Sequence, residues 1–185
     1  MEEEHQNGKI LLVDDSPATI EIVKTALEEE GYEVFVATSG DKGIKRAECT
    51  MPDLILLDVR MPGMDGFETC RRLKTNARTS AIPVIFMTGV TAIDSKVTGF
   101  EIGGVDYVTK PIEIGEVLAR VKTHLSLQRL RTELEQKNAS LEAANKTLEE
   151  FAYVVSHDLK APLRGITQLA HWLVEDYADA FDQDG

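Results

Sequence analysis

A fivefold alternation of short strand-like runs with segments of helical periodicity between residues 9 and 124 constrains the fold most. The central run, 54–57, has four consecutive aliphatic residues, a pattern typical of a strand buried on both faces. Because parallel neighbouring strands need crossover connections, and the intervening helices supply them, the alternation predicts an α/β fold. We expect a five-stranded, doubly wound parallel sheet, with strands at 9–13, 34–37, 54–57, 83–87 and 106–109.

Polar residues mark the carboxyl ends of four of these strands: Asp14 and Asp15, Asp58, Thr88 and Lys110. These ends share one edge of a parallel sheet, where open α/β folds bind ligands. Three adjacent carboxylates repel one another unless a hard dication holds them, which predicts a Mg²⁺ site. A hydroxyl and an ammonium group beside it suit a phosphoryl group, with Asp58 as a candidate nucleophile. The alternative for Asp58 is an ordinary aspartate between strand and loop.

Residues 9–124 resemble the receiver domain of two-component response regulators, through LLVDDS, LLDVRMPGMDG, VIFMTG and YVTKP in that order. The resemblance implies a flavodoxin-like fold in which Asp58 is the phosphoacceptor. It also implies that Asp15, Asp58 and the backbone carbonyl of Arg60 bind Mg²⁺ directly, and that Asp14 acts largely through a metal-bound water.

The same resemblance assigns roles at the ends of the fourth and fifth strands. Thr88 and Lys110 would hold the phosphoryl oxygens, and the Lys110–Pro111 peptide bond is expected to be cis. Tyr107 matches the aromatic switch residue of the family, which turns inward when the threonine hydroxyl engages phosphate. Without the family, Tyr107 would be interpreted as an ordinary strand aromatic.

Beyond residue 124 the pattern changes to heptad spacing, and 125–150 contain neither proline nor glycine. The narrow apolar stripe predicts a coiled coil, hence a parallel homodimer through residues 127–155. Its seam comprises Leu127, Leu130, Leu134, Lys137, Leu141, Ala144, Leu148, Phe151 and Val155, with Lys137 as the polar exception. The alternative is a single helix packed back on the receiver.

The seam leads into SHDLKAPLR, which resembles the phosphoacceptor motif, or H-box, of sensor histidine kinases. His157 would be phosphorylated, and Asp158 would orient and polarise its imidazole. A lone histidine on a helix is otherwise usually structural or solvated. We therefore expect a flexible amino terminus (1–8), a receiver (9–124), a coiled-coil signalling helix (125–150) and a truncated first helix of the histidine kinase dimerisation domain (151–185).

These patterns predict the amino-terminal part of a receiver-containing sensor histidine kinase, ending within a helical hairpin. No Gly-rich nucleotide motif occurs, so we expect ATP to act only through a missing catalytic domain, and this chain not to autophosphorylate alone. The expected partners are an upstream histidine kinase or phosphotransfer protein and a downstream receiver. The alternative is a stand-alone binding module, in which the receiver controls dimerisation and docking.

Charge and hydropathy limit the remaining function classes. The formal net charge of −12 argues against nucleic acid or an anionic membrane as a partner of the whole chain. No apolar run reaches the roughly 20 residues of a transmembrane helix, and the acidic start does not resemble a signal peptide. We therefore expect a cytoplasmic protein.

Overall fold

The computed structural model describes residues 7–89 and 101–181, except for the side chains of 156, 158, 159, 161 and 173–181. The predicted flexible amino terminus and most of the helix predicted after the fourth strand lie outside these residues. The chain divides into two compact units, which meet in sequence at Leu130 and Arg131. Each is described by itself.

The first unit contains the five predicted strands, all paired in parallel. They are β1 (Lys9–Val13), β2 (Glu33–Ala37), β3 (Leu54–Asp58), β4 (Val84–Thr88) and β5 (Asp106–Thr109). The spatial order is β2-β1-β3-β4-β5. This confirms the predicted five-stranded parallel α/β sheet, and it places β1 and β3, which carry the acidic residues, side by side.

Four described helices accompany the sheet: α1 (Pro17–Glu29), α2 (Gly40–Thr50), α3 (Gly66–Thr75) and α4 (Ile114–Phe181). Ser16 caps α1 by accepting a hydrogen bond from the Thr19 amide, and Asp65 caps α3 by accepting one from the Glu68 amide. These side chains satisfy amide groups that lack a partner within the helix. Ser16 lies in the loop after β1 and Asp65 in the loop after β3. The two caps therefore help to fix the conformation of the loops at the carboxyl ends of these strands.

Alternate strand residues build two hydrophobic cores, one on each face of the sheet. Ile10 and Leu12 of β1 belong to the core that includes α1 and the start of α4. Leu11 and Val13 of the same strand belong to the core that includes α2 and α3. Because side chains alternate across a strand, this division is what burial of both sheet faces requires.

Gly43 of α2 has a packing role that the sequence did not reveal. Glycine weakens a helix interior, yet here a Cβ would lie 3.1 Å from both γ-carbons of Val13. The missing side chain therefore allows α2 to approach β1 closely, and the packing compensates for the lower helix propensity.

The last helix, α4, is a single element of 68 residues that continues through Pro162. It joins the predicted fifth helix, coiled-coil segment and H-box segment without interruption. Val117, Val121 and Leu125 are buried in the first core, so the start of the helix is part of the receiver. Among the described helices, none is sufficiently long and apolar to span a bilayer.

Gly66, at the start of α3, provides a test of this packing. A Cβ there would overlap the backbone oxygen of Asp58 and lie 2.8 Å from Cα of Val59. We expect Gly66→Ala to lower the free energy of unfolding by about 3 kcal/mol, because backbone cannot move aside like a flexible side chain. Gly115→Ala is the control, since nothing lies within 4 Å of its Cβ position. Urea denaturation that gives equal stability for both variants would contradict the packing.

Candidate functional site

Three carboxylates meet at the carboxyl edge of the sheet. Asp14 and Asp15 follow β1, Asp58 ends the neighbouring β3, and one oxygen from each lies within 4.8 Å of the others. Asp14 is fully buried and Asp58 is 4% exposed, whereas Asp15 is exposed. Because β1 and β3 are neighbours in the sheet, Asp14 and Asp15 lie beside Asp58, which is more than forty positions later in the sequence. The sequence predicts this proximity.

Lys110 supplies the positive charge of this edge. Its Nζ lies 2.8 Å from Oδ2 of Asp14 and 3.0 Å from Oδ2 of Asp58. The lysine follows β5, is held by a hydrogen bond from its amide to the Thr88 carbonyl, and precedes a cis peptide bond to Pro111, as expected. One ammonium group thus bridges the two buried carboxylates.

Burial and this ion pair act in opposite directions on the pKa values of the site. Burial raises the pKa of Asp58 above its ordinary value, although hydrogen bonding to Lys110 opposes the change. For Lys110, burial acts to lower the pKa, but its hydrogen bonds to Asp14 and Asp58 outweigh burial, and the pKa is raised. Lys110 therefore stays protonated, and its charge favours the ionised form of Asp58.

Backbone groups orient the two buried carboxylates. Asp14 Oδ1 accepts the amide of Ser16 at 2.8 Å, and Asp58 Oδ1 accepts the amide of Arg60 at 3.4 Å. The Gly66 amide donates to the carbonyl of Val59, which closes the loop after β3. These bonds hold the carboxylates in place while their remaining oxygens face Lys110 and one another.

Thr88 and Tyr107 lie on the two strands beyond β3. Thr88 ends β4 and is 4% exposed, and its neighbour Met87 is in register with Asp58. Tyr107 of β5 is in register with Phe86, and its ring packs partly against the second core. Both predicted switch residues therefore belong to strands that meet the acidic edge.

The oxygen-rich donor set fits the predicted metal. Asp14, Asp15 and Asp58 offer only hard carboxylate oxygens, and their 4.8 Å span is small enough for one ion. Mg²⁺ prefers such ligands and retains water at its other positions. Asp15 is open to solvent, which leaves room for those waters.

His157 lies on α4 in the second unit, where its side chain is exposed. The side chain of Asp158 is outside the described set, so the predicted orientation of the imidazole stays a prediction. Reasoning from sequence missed one polar cluster in the receiver, in which Arg120 pairs with Asp106 and Glu116, and His124 lies within hydrogen-bond distance of Asp106. The four-residue spacing of its three helical members is the signal that could have indicated it.

Comparison with known proteins identifies the family. The model of the response regulator receiver domain matches residues 10–122, and the chain belongs to this family. Receiver domains accept phosphoryl groups from histidine kinases or phosphotransfer proteins and use Mg²⁺ at their acidic pocket. The family match and the parallel five-stranded sheet agree with the receiver resemblance that the sequence motifs carry.

Individual relatives come from several kinds of protein. The DNA-binding dual master transcriptional regulator RpaA of Synechocystis is 44% identical over 117 residues, covering 63% of this chain and 48% of that protein. Response regulator PleD of Caulobacter vibrioides is 40% identical over 134 residues, covering 72% of this chain and 30% of that protein. The chain thus spans about half or less of these curated relatives.

The similar solved structures include a receiver domain from a histidine kinase and a response regulator. The signal receiver domain of a signal transduction histidine kinase from Syntrophus aciditrophicus is 39% identical, with a TM-score of 0.60, covering 64% of this chain and 90% of that chain. A response regulator from Chloroflexus aurantiacus is 35% identical, with a TM-score of 0.62, covering 64% and 98%. Both are similar to the receiver part of this chain.

The raised pKa of Asp58 predicts a specific pH dependence of stability. Its native form binds a proton more tightly than its unfolded form, so its contribution to the free energy of unfolding decreases as pH rises through the shifted pKa. In metal-free buffer, Asp58→Asn should therefore be more stable than the wild type at pH 7, and this advantage should vanish toward pH 4 and below. Urea denaturation with a chelator present measures it. A less stable Asp58→Asn at pH 7 would contradict the prediction.

Proposed function

We propose that Asp58 accepts a phosphoryl group and that the receiver thereby controls a histidine kinase core through α4. The observation that carries the first part is the placement of the nearly buried Asp58 carboxylate 3.0 Å from the Lys110 ammonium and within one cluster with Asp14 and Asp15. Asp58 has both a cation and a potential metal site beside it, which an anionic phosphoryl group requires.

The transfer requires one bond to form and one to break. An Asp58 oxygen forms a bond to phosphorus while the bond from phosphorus to the donor atom breaks, and the leaving group keeps that electron pair. Lys110 and Thr88 hold phosphoryl oxygens, so charge that develops there meets an ammonium group and a hydroxyl group. Mg²⁺ held directly by Asp15, Asp58 and the Arg60 carbonyl, with Asp14 acting largely through a metal-bound water, would neutralise phosphoryl charge. Tyr107 turns toward Thr88 once that hydroxyl is engaged.

The kinase context rests on the second unit. The segment SHDLKAPLR resembles an H-box, and α4 is helical throughout it. The receiver similarity to a histidine kinase of Syntrophus aciditrophicus supports the same context. His157 is exposed on this helix, as a group that must meet an ATP-bound catalytic domain needs to be. The ATP-binding part would lie in a further domain.

A parallel homodimer would cover the seam of α4. The seam leucines are between 56% and 67% exposed: Leu127, Leu130, Leu134, Leu141 and Leu148. Phe151 is 64% exposed. Coiled-coil pairing of two copies buries such a narrow stripe. Parallel pairing also places the two 151–181 segments together, as a dimeric kinase bundle requires.

A phosphorylation-controlled binding module is the second candidate. Leu163, Ile166, Leu169 and Trp172 are each more than half exposed, and an apolar face of this size can bind a partner helix. In this case phosphorylation of Asp58 would change docking rather than kinase activity. The upstream phosphodonor proteins would be the same in both cases, because transfer to Asp58 depends only on the receiver.

Phosphorylation by a small donor tests the site directly. With Mg²⁺ and acetyl phosphate, intact-mass analysis should show one added phosphoryl group on the wild type and none on Asp58→Asn. Lys110→Gln should react about 100-fold more slowly, because it lacks the charge that holds phosphoryl oxygens. Lys122→Gln, which removes an exposed lysine of α4, should react like the wild type. Chelation of Mg²⁺ should stop the reaction, and unchanged labelling in chelator or in Asp58→Asn would overturn the site assignment.

The seam prediction is tested at Lys137. In a parallel dimer two Lys137 ammonium groups oppose each other across a core position, so Lys137→Leu should tighten dimerisation about tenfold or more. Lys146→Leu makes the same change on the outer face of the helix and should have no such effect. Sedimentation equilibrium measures both. A wild type that is monomeric at tens of micromolar, with equal values for both variants, would remove the coiled coil.

The role of His157 requires ATP. We expect this chain alone to take no label from γ-labelled ATP, because it contains no nucleotide motif. A natural protein that extends past Gly185 into an ATP-binding domain should gain acid-labile phosphate that is lost in His157→Gln and kept in His171→Gln. Label that persists in His157→Gln would assign phosphorylation to another residue, and absence of a downstream catalytic domain would favour the binding module.

A further inference from the structure

A cluster of four charged or titratable side chains connects β5 to the start of α4. We name Asp106, Glu116, Arg120 and His124 the helix-root clamp. Arg120 Nη1 donates to both oxygens of Asp106, at 2.7 and 2.8 Å, while its Nε and Nη2 donate to Glu116 Oε1 at 2.9 and 2.7 Å. The Nε2 atom of His124 lies 3.0 Å from Asp106 Oδ2. One strand residue is thus tied to two successive turns of α4.

The clamp is partly buried, with Asp106 and His124 less exposed than Arg120 and Glu116. The side chains of Asp106 and His124 are 18% and 17% exposed, and those of Arg120 and Glu116 are 32% and 30% exposed. Burial alone would raise the pKa of Asp106, but hydrogen bonds from Arg120 and His124 outweigh it and hold that pKa below its ordinary value. One planar guanidinium group thus contacts two carboxylates through different nitrogens, Nη1 on Asp106 and Nε with Nη2 on Glu116, which fixes position as well as charge.

Tyr107, the proposed switch residue, contacts this clamp directly. Its amide donates to Asp106 Oδ1 at 2.8 Å, and its ring centroid lies 5.6 Å from Cζ of Arg120. The guanidinium group therefore lies within cation–π distance of the ring while it holds Asp106. Movement of the ring away from Arg120 would remove this contact.

We propose that Arg120 is a positioning residue that couples the Tyr107 ring to the first turns of α4, so that phosphorylation of Asp58 loosens the helix-root clamp. This inference rests on the proposed function and adds a physical route from the site to the helix. When the ring turns toward Thr88, Arg120 loses its aromatic contact and the attachment of α4 to β5 weakens. Because coupling is reciprocal, an intact clamp also opposes the inward ring position.

Amide hydrogen exchange of the full 185-residue chain tests this coupling, with beryllofluoride and Mg²⁺ as the phosphoryl mimic. In the wild type, the mimic should protect the loop after β3 and raise exchange at residues 114–124 by about two- to fivefold, the size expected for one lost cation–π contact. Tyr107→Leu should keep the protection of the loop but lose the response of 114–124. Arg120→Gln should show raised exchange without the mimic and no further rise with it.

Two further variants distinguish coupling from general destabilisation. Arg120→Lys keeps the charge but not the planar set of donors that contacts Asp106 and Glu116 together, so it should retain the fold and lose most of the response. Arg131→Gln breaks an exposed Arg131–Glu135 pair on the same helix and should respond like the wild type. A full response of 114–124 in Tyr107→Leu or Arg120→Gln would overturn the proposal while leaving Asp58 as the phosphoacceptor. If the mimic does not protect the loop after β3 in the wild type, the proposed function fails, and the coupling fails with it.

Discussion

Charge repulsion among three carboxylates is the constraint on which the acidic edge depends. Asp14 and Asp58 are nearly or fully buried, where two unneutralised charges would be strongly unfavourable. Lys110 bridges them from the end of β5, and its position requires that β5 lie on the same side of β1 as β3 and β4. The strand order and the charge balance are therefore two aspects of one arrangement.

This arrangement suits a site whose occupancy changes. In the absence of phosphate, one ammonium group serves two carboxylates, and the unfavourable burial of Asp58 is only partly compensated, as its raised pKa indicates. A bound divalent cation would supply further positive charge beside these carboxylates. Binding of such a cation would therefore change the balance between burial and neutralisation of Asp58. Differential stabilisation of this kind is what allows a modification to shift a conformational equilibrium.

The start of α4 belongs to the receiver in two physically distinct ways. Val117 and Val121 are buried in the core, and apolar packing of this kind is non-directional. The polar contacts of Arg120 and His124 with Asp106 lie next to Tyr107, and such contacts depend steeply on geometry. A helix held by both can keep its fold while its root changes position. In our proposal, the apolar contacts maintain the fold and the polar contacts transmit the change at Tyr107.

Several features followed directly from local sequence. Aliphatic runs identified the strands, and polar residues at their ends identified Asp14, Asp15, Asp58, Thr88 and Lys110, because alternating strands and helices force these ends to one edge. The motifs then identified the receiver family, which the family comparison confirms. The heptad pattern and the H-box similarity also come from sequence, and they remain proposals about partners and about His157.

Only the tertiary structure decided which distant residues meet. Local sequence describes Gly43 as a weak helix residue and Gly66 as part of a turn. The structure shows that a Cβ at Gly43 would press against the Val13 side chain, and that one at Gly66 would overlap the Asp58 backbone. Asp106 appears in sequence as one more acidic residue, and its partners Arg120 and His124 come from a helix that begins eight residues later. Periodicity reports which face of an element is apolar. It does not report how closely two backbones approach or which charges pair, because both depend on the packing of the whole receiver.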